Sequence, residues 1–262
     1  MKLYTKESLI EELLRIREMG WVRSIKPGNA GAIGNTLEYL LGIKENNLPI
    51  PNASEWEIKT QRAKTSSLTT LFHLEPSPQA LKYVPSVFLP KYGWPHKLAG
   101  TRYSVEEMSF RQTINSLVYS SRGFRLQVDN QERKLLVSFD HKLVHPEHQE
   151  WLKSVEQRVG YLEELHPQPY WGFDDLFYKA GTKLRNCFYV RAEEKREKGE
   201  VYFHYNKIWI LQGLSLENLI NSLVGGNILV DFDARTGHNH GTKFRLRPGT
   251  RTLLYEHEEE IE

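Results

Sequence analysis

Glu55-Trp56-Glu57-Ile58-Lys59-Thr60 alternates strictly, and that period of two organises the reading of the chain around it. Successive side chains on a strand point to opposite faces, so Trp56 and Ile58 share one face and Glu55, Glu57 and Lys59 the other. A carboxylate beside an ammonium can hold a divalent cation and orient a water for attack on a phosphate. Glu-x-Lys alone is common on solvated strands, so the neighbours carry the weight. The turn Pro49-Ile50-Pro51-Asn52 lies just upstream, a short helix presents Glu38 before it, and a basic run opening Gln61-Arg62-Ala63-Lys64 follows. Together they suggest a phosphodiesterase site: carboxylates for metal, lysine for water, basic groups for a polyanionic backbone.

Working outward, Leu9, Leu13 and Ile16 form the stripe of a helix that opens at Thr5 and closes at Gly20. Pro27 to Gly34 reads as a loop, with Asn35 or Thr36 capping a second helix before Gly42. Ser67 to Leu74 reads as a strand partnering the Glu55–Thr60 strand. Phe124 to Val128 and Lys134 to Phe139 read as strands around an Asp129-Asn130 turn. Helices are expected over Gln149 to Leu165 and Asp174 to Ala180. A hairpin is expected from Leu184–Ala192 and Glu200–Ile210, turning at Gly199. Ser215 caps a helix ended by Gly225-Gly226, and Asn227–Asp233 and Lys243–Arg247 are late strands. No internal repeat and no regular βαβ rhythm is present, so the class is mixed α/β (α+β). Glu75 to Ser104 is Pro-rich and reads as a candidate inserted lobe.

The 262 residues carry 35 Lys and Arg against 33 Asp and Glu, a formal +2 that on its face points to no polyanionic partner. Five of those acids lie in Glu256–Glu262, which reads as a solvated end, and the rest of the chain has 35 basic against 28 acidic residues. From Gln61 to Val105 there are six Lys or Arg and one acid, Glu75, a single-sign stretch able to attract phosphates. The one cysteine, Cys187, excludes an intrachain disulfide and a thiolate-built zinc site; its apolar surroundings predict a buried strand. No run of about 18 apolar residues exists, so no transmembrane helix is expected. Met1 to Arg17 lacks a signal-peptide core, and a cytoplasmic location is the default expectation. His141, His145 and His148 have helical spacing, but Pro146 interrupts it, so they are read as scattered surface histidines.

Three ordered blocks carry a family resemblance. The first is Gly34-Asn35-Thr36-Leu37-Glu38-Tyr39-Leu40-Leu41, then Glu45-Asn46-Asn47-Leu48, Pro51-Asn52 leading to Glu57-Ile58-Lys59-Thr60, and Leu68-Thr69-Thr70-Leu71-Phe72. The second is Trp171-Gly172-Phe173-Asp174-Asp175-Leu176, and the third His238-Asn239-His240-Gly241-Thr242-Lys243-Phe244-Arg245. In these the chain resembles the MvaI/BcnI restriction endonucleases, relatives of the mismatch-repair nicking enzyme MutH. The region from about 76 to 168 matches poorly. The resemblance implies a PD-(D/E)xK restriction-endonuclease-like core with a central mixed sheet flanked by helices. It implies one nuclease domain over 1–262, bilobed, with a catalytic lobe mainly in 1–75 plus central strands and a DNA-recognition lobe including 170–250.

By the same resemblance, Glu57 and residue 52 would ligate Mg2+, with Mn2+ or Ca2+ standing in for binding. Lys59 would position the attacking water, and Glu38 would project toward the same centre. Asn52 departs from the family pattern, which has aspartate there. An amide oxygen can ligate Mg2+ but lacks the charge that tightens the site. Three accounts stand open: an introduced change that traps an uncut complex, a natural variant compensated by Glu55 or Glu38, or a weak or inactive nuclease. Arg62 and Lys64 are the phosphate-contact candidates. His238, His240 and Arg245 would read guanines, since imidazole and guanidinium donate to N7 and O6. Asn239 stands where a familiar member has aspartate, which accepts from cytosine, whereas asparagine suits adenine better. Asp231 and Arg235 are further candidates. The tripeptide His238-Asn239-His240 is not an HNH nuclease motif, whose residues are scattered across a ββα-metal unit.

The implied activity is that of a monomeric type II enzyme cutting double-stranded DNA at a short site with CC and GG flanking a central position. Its host would carry a cognate methyltransferase protecting the same site. The alternatives are a MutH-like nicking endonuclease and a DNA-binding protein whose catalysis is impaired by Asn52.

Overall fold

The computed structural model describes residues 4–29, 31–43 and 55–262. In chain order the helices and strands are α1 (Lys6–Glu18), β1 (Val22–Arg23), α2 (Ala32–Leu40), β2 (Glu57–Arg62), β3 (Thr69–His73), β4 (Trp94–Pro95), β5 (Met108–Ile114), β6 (Arg122–Asp129) and β7 (Lys134–Val144). There follow α3 (Gln149–Val159), β8 (Tyr170–Gly172), α4 (Phe173–Leu184), β9 (Asn186–Glu197), β10 (Glu200–Leu214), α5 (Leu216–Val224), β11 (Ile228–Arg235), β12 (His238–Asn239), β13 (Lys243–Leu246) and β14 (Tyr255–Ile261). A π-helical segment, Val84–Tyr92, precedes β4. Among the described residues no helix is long and apolar enough to cross a membrane.

The chain forms two compact units: 1–69 with 180–218 and 248–262, and 70–179 with 219–247. In the first, a sheet runs β1-β10-β9-β2, and β14 also pairs with β10. Strand β10 is long enough for β1 to pair near its start, at Val22↔Phe203, and β14 near its end, at Leu214↔Tyr255. Strands β9 and β10 form the expected hairpin. Its turn places Lys198 at φ 51° and Gly199 at φ 83°, two consecutive left-handed residues whose twist suits adjoining strands. Glycine accepts that region without cost; lysine does not.

Strand β2 pairs with β9 in parallel, from Glu57↔Cys187 to Arg62↔Ala192. One face of this sheet is covered by helices. Leu9, Leu13 and Ile16 of α1 and Ile33 and Leu37 of α2 pack with Ile58, Phe188, Val190, Phe203, Ile208 and Ile210. Each such buried aliphatic side chain contributes on the order of 1.5–3 kcal/mol. Thr5 caps α1 reciprocally with Ser8, satisfying donors that the first turn leaves unpaired.

The second unit has a sheet ordered β3-β13-β11-β5-β4, with β12 on β11, and a three-stranded sheet β6-β7-β8. An aromatic cluster fills its core: Phe88 stacks on Phe110 at 4.7 Å and meets Phe232 at 5.3 Å and Phe124 at 5.9 Å, edge-on. This core draws Phe88 from the Pro-rich Glu75–Ser104 stretch, so that stretch is part of this unit and lends it buried side chains.

Several local expectations need correction. Helix α2 begins at Ala32, inside the expected loop, because Ala32 and Ile33 are buried; Thr36 sits mid-helix, its hydroxyl accepting from Ile25 N at 3.3 Å. Strand β3 pairs with β13, not with β2, whose sheet neighbour is β9. Helix α3 stops at Gly160, whose φ of 92° ends it six residues short of Leu165. Helix α4 continues past Ala180 to Leu184. Glu256–Glu262, expected as a solvated end, does keep its glutamates exposed, but it lies largely in β14, whose backbone satisfies the edge of β10.

Candidate functional site

The alternation of β2 separates two chemistries. Ile58 faces the helices, while Glu57, Lys59 and Gln61 share the opposite face with Cys187, Tyr189 and Arg191 of the parallel neighbour. Glu57 is 2% exposed. Burying a carboxylate costs several kcal/mol unless it is paired. Lys59 supplies the pairing: its Nζ lies 2.7 Å from Glu57 Oε1. The other oxygen, Oε2, is buried and has no hydrogen-bond partner among the described residues.

Two further groups beside Glu57, Cys187 and Tyr255, are held in their neutral forms. Burial pushes the Cys187 thiol up to about 12, with the nearby Glu57 charge adding to the effect. Burial likewise raises the Tyr255 phenol, which hydrogen-bonds with Cys187. The surroundings therefore contain an oriented carboxylate oxygen, no donor on it among the described residues and no second anion from these two residues. Hard divalent cations take oxygen ligands, so the donor chemistry fits such an ion. Among the described residues no group of three His, Cys, Asp or Glu is arranged to hold a metal. Asn52, the other expected ligand, lies outside the described residues, as does the Glu45–Leu48 block.

Glu38 is half-buried on α2, whose Leu37 packs on the Ile58 side of β2. Arg62 falls on that side too. Its guanidinium lies 5.7 Å from the Phe203 ring centre and its Nε pairs with Glu194 at 2.5 Å, an ion pair that holds the Glu194 carboxyl below its usual range. Lys64 is exposed and, with Arg62, Glu193, Glu194 and Arg196, lines an open hollow. Thus Glu57 and Lys59 come together on one sheet face, and Arg62 is held on the other.

In the second unit, Val230, Phe232 and Ala234 of β11 enter the core, so Asp231, Asp233 and Arg235 stand on the polar face. The cross-strand register brings Lys243 opposite Asp231 and Arg245 opposite Leu229 on β13, and Arg111 opposite Asp233 on β5. Ion pairs lace this face: Arg245–Asp231 at 3.1 Å, Lys243–Asp233 at 3.1 Å, Arg111–Asp233 at 2.8 Å and Arg235–Glu107 at 3.0 Å. The turn after β11 exposes His238, Asn239 and His240; the two imidazoles meet edge-on at 4.2 Å. Asn239 Oδ1 accepts from Gly241 N at 3.0 Å, and Glu75 accepts from Thr242 N at 2.9 Å and Thr242 Oγ1 at 3.0 Å. Asp231, Arg235, His238, Asn239, His240 and Arg245 therefore share one sheet and its turn. Arg111, Asp233, Lys243 and Glu75 join them unannounced. Asp233 and Lys243 were within reach of the sequence, each two residues along the strand from a named candidate.

The chain is similar to two solved structures, a restriction endonuclease MvaI–cognate DNA substrate complex and restriction endonuclease MvaI in the absence of DNA. The first aligns with a TM-score of 0.76 at 23% identity over 99% of this chain and 100% of that one. The second aligns with a TM-score of 0.54 at 23% identity over 100% of both chains. At that identity the likeness shows the fold, a PD-(D/E)xK-type mixed α/β architecture. No curated protein sequence matches. The profile of the MvaI/BcnI restriction endonuclease family matches residues 10–255, which takes in β2, β9 and the polar face of β11 and β13, and the chain belongs to that family.

Proposed function

We propose that this protein is a Mg2+-dependent type II restriction endonuclease that hydrolyses phosphodiester bonds of double-stranded DNA at a short specific site. The observation that carries the reading is the Glu57–Lys59 pair: a buried carboxylate held by lysine through one oxygen, with the other oxygen left without a donor among the described residues. In a restriction endonuclease family that oxygen is the natural cation ligand, with residue 52 as its companion. When bound, the cation supplies charge stabilisation for the phosphoryl oxygens in the transition state. Lys59 orients the Glu57 carboxylate and presents its remaining N–H donors to the attacking water. Glu38 is the further acid of the centre, and Lys64 contacts the DNA backbone; Arg62 does so only by exchanging Glu194 for a phosphate.

The polar face of β11 and β13 reads bases. Arg245 and Arg235 donate to guanine, His238 and His240 do the same from the turn, and Asp231 and Asn239 set the pairing pattern beside them. The enzyme acts as a monomer, with a host methyltransferase protecting its site. Two other readings stand beside it: a MutH-like enzyme that cuts one strand, and a chain that binds its site without cutting because Asn52 lacks the usual aspartate charge. Plasmid digestion with the protein and with Asn52→Asp, side by side, tests both. Linear product with ends at one sequence supports the proposal, and Asn52→Asp should retain or raise the rate. Nicked circles alone favour the one-strand enzyme. A large loss of cleavage in Asn52→Asp would show that the amide is required and would remove residue 52 from its proposed place.

A further inference from the structure

We infer that Arg191, with Lys207 beside it, forms a binding site for a backbone phosphodiester on the face that carries Glu57 and Lys59. The inference rests on the nucleic-acid reading above and extends it to residues outside its named site. The register fixes the geometry. Lys59 pairs with Tyr189, which pairs with Trp209; one step along, Gln61 pairs with Arg191, which pairs with Lys207. Strand spacing of about 4.8 Å and two residues of rise put the Arg191 Cα about 8 Å from that of Lys59. A phosphate next to the one at Lys59 is therefore within reach of a guanidinium.

The charges on this face are unequally satisfied. Arg251 is committed: it lies over the Trp209 ring at 3.9 Å and Tyr189 at 4.6 Å and bonds Glu258 at 2.9 Å. Lys207 bonds Glu260 at 2.8 Å, and both side chains are 42% exposed. Glu260 also accepts from Trp209 Nε1 at 3.1 Å. Arg191 has no ion pair among the described residues; its guanidinium lies 5.6 Å from the Trp209 ring centre, and its Nε is buried without a hydrogen-bond partner. Glu260 acts on Arg191 only at a distance, so a partly desolvated guanidinium with no carboxylate in direct contact gains from an arriving anion, and its planar fork matches phosphate. Glu260, already held by Lys207 and Trp209, is the counter-charge that DNA must displace. Strand β14 thereby sets how readily this face accepts a polyanion.

The test uses the full chain and a mixed-sequence linear DNA duplex, with Ca2+ in place of Mg2+, reading fluorescence anisotropy across a salt series. Arg191→Gln should lower the slope of log K against log salt by about 1, the signature of one lost phosphate contact. Arg191→Lys should keep the slope, because charge is retained. Glu260→Gln should tighten binding, opposite in sign to Arg191→Gln, which a merely structural role would not produce. If Arg191→Gln does not fold, Lys207→Gln reads the same loss of about 1 from an exposed position. Parental slopes in these glutamine variants, with the parent itself salt-dependent, overturn the site alone. A parent whose binding shows no salt dependence overturns the nucleic-acid reading along with it.

Discussion

Replacing Lys59 with methionine should turn the buried Glu57 carboxylate from a held group into an uncompensated one. The ammonium and carboxylate are 2.7 Å apart, with Glu57 3% and Lys59 21% exposed in their side chains. At an effective dielectric constant of about 20, that separation gives a Coulomb attraction of about 6 kcal/mol, an upper bound. Removing one partner of a buried pair costs about 3–5 kcal/mol, and the partial exposure of Lys59 favours the lower end, about 3 kcal/mol. For a chain of this length that loss lowers the melting temperature by roughly 6–12 °C. A divalent cation should return part of it, since binding at 100 times the dissociation constant stabilises by about 2.7 kcal/mol. The assay is thermal unfolding of Lys59→Met and parent, each in chelator and in millimolar Mg2+. The variant should be less stable in chelator and should gain more from Mg2+ than the parent does. A variant as stable as the parent in chelator would refute the reasoning, because the lysine would then not be what allows the carboxylate to be buried.

Other outcomes follow from single features. Arg62→Gln should cost up to about 1 kcal/mol near neutral pH, as expected for a partly exposed ion pair. Glu194 is held below its usual range chiefly by its hydrogen bond to Arg62, so the contribution is present above the ordinary carboxylate pKa and fades as pH falls through the depressed one; urea unfolding of parent and variant should converge in acid. Gly199→Ala forces an L side chain into φ 83° and should destabilise by about 1 kcal/mol in chemical unfolding. Arg245→Gln should cost about 1–3 kcal/mol of discrimination at one base pair while leaving non-specific duplex binding nearly intact, measured with single-substitution duplexes.

Much of the fold was legible because the informative patterns are local. The stripe of α1, the period-two run at Glu57 and the charged turn at Gly199 each depend on a few adjacent residues, and each appears in the structure. Strand partners are set elsewhere in the chain. Nothing in Thr69–His73 says that β13 rather than β2 will be its neighbour. Strand β14 was hidden for a related reason: its glutamates face solvent, so no apolar alternation marks a strand whose role is to close the edge of β10. Glu57 and Lys59 were recognisable by type and spacing. Arg191 was not, because its place beside them comes from the parallel register of β2 on β9. The near-neutral charge conceals the same arrangement, with basic side chains on the sheet face and Glu258 and Glu260 ordered against them.

The most direct measurement is digestion of a plasmid in Mg2+ by the parent and Asn52→Asp chains and by each carrying Glu57→Gln, with the ends mapped by sequencing. The account predicts ends at a single short sequence from the parent or its Asn52→Asp form, and loss of that cleavage when Glu57 becomes glutamine. Cleavage by a Glu57→Gln chain at the rate of its counterpart, or ends scattered without a common sequence, would contradict it.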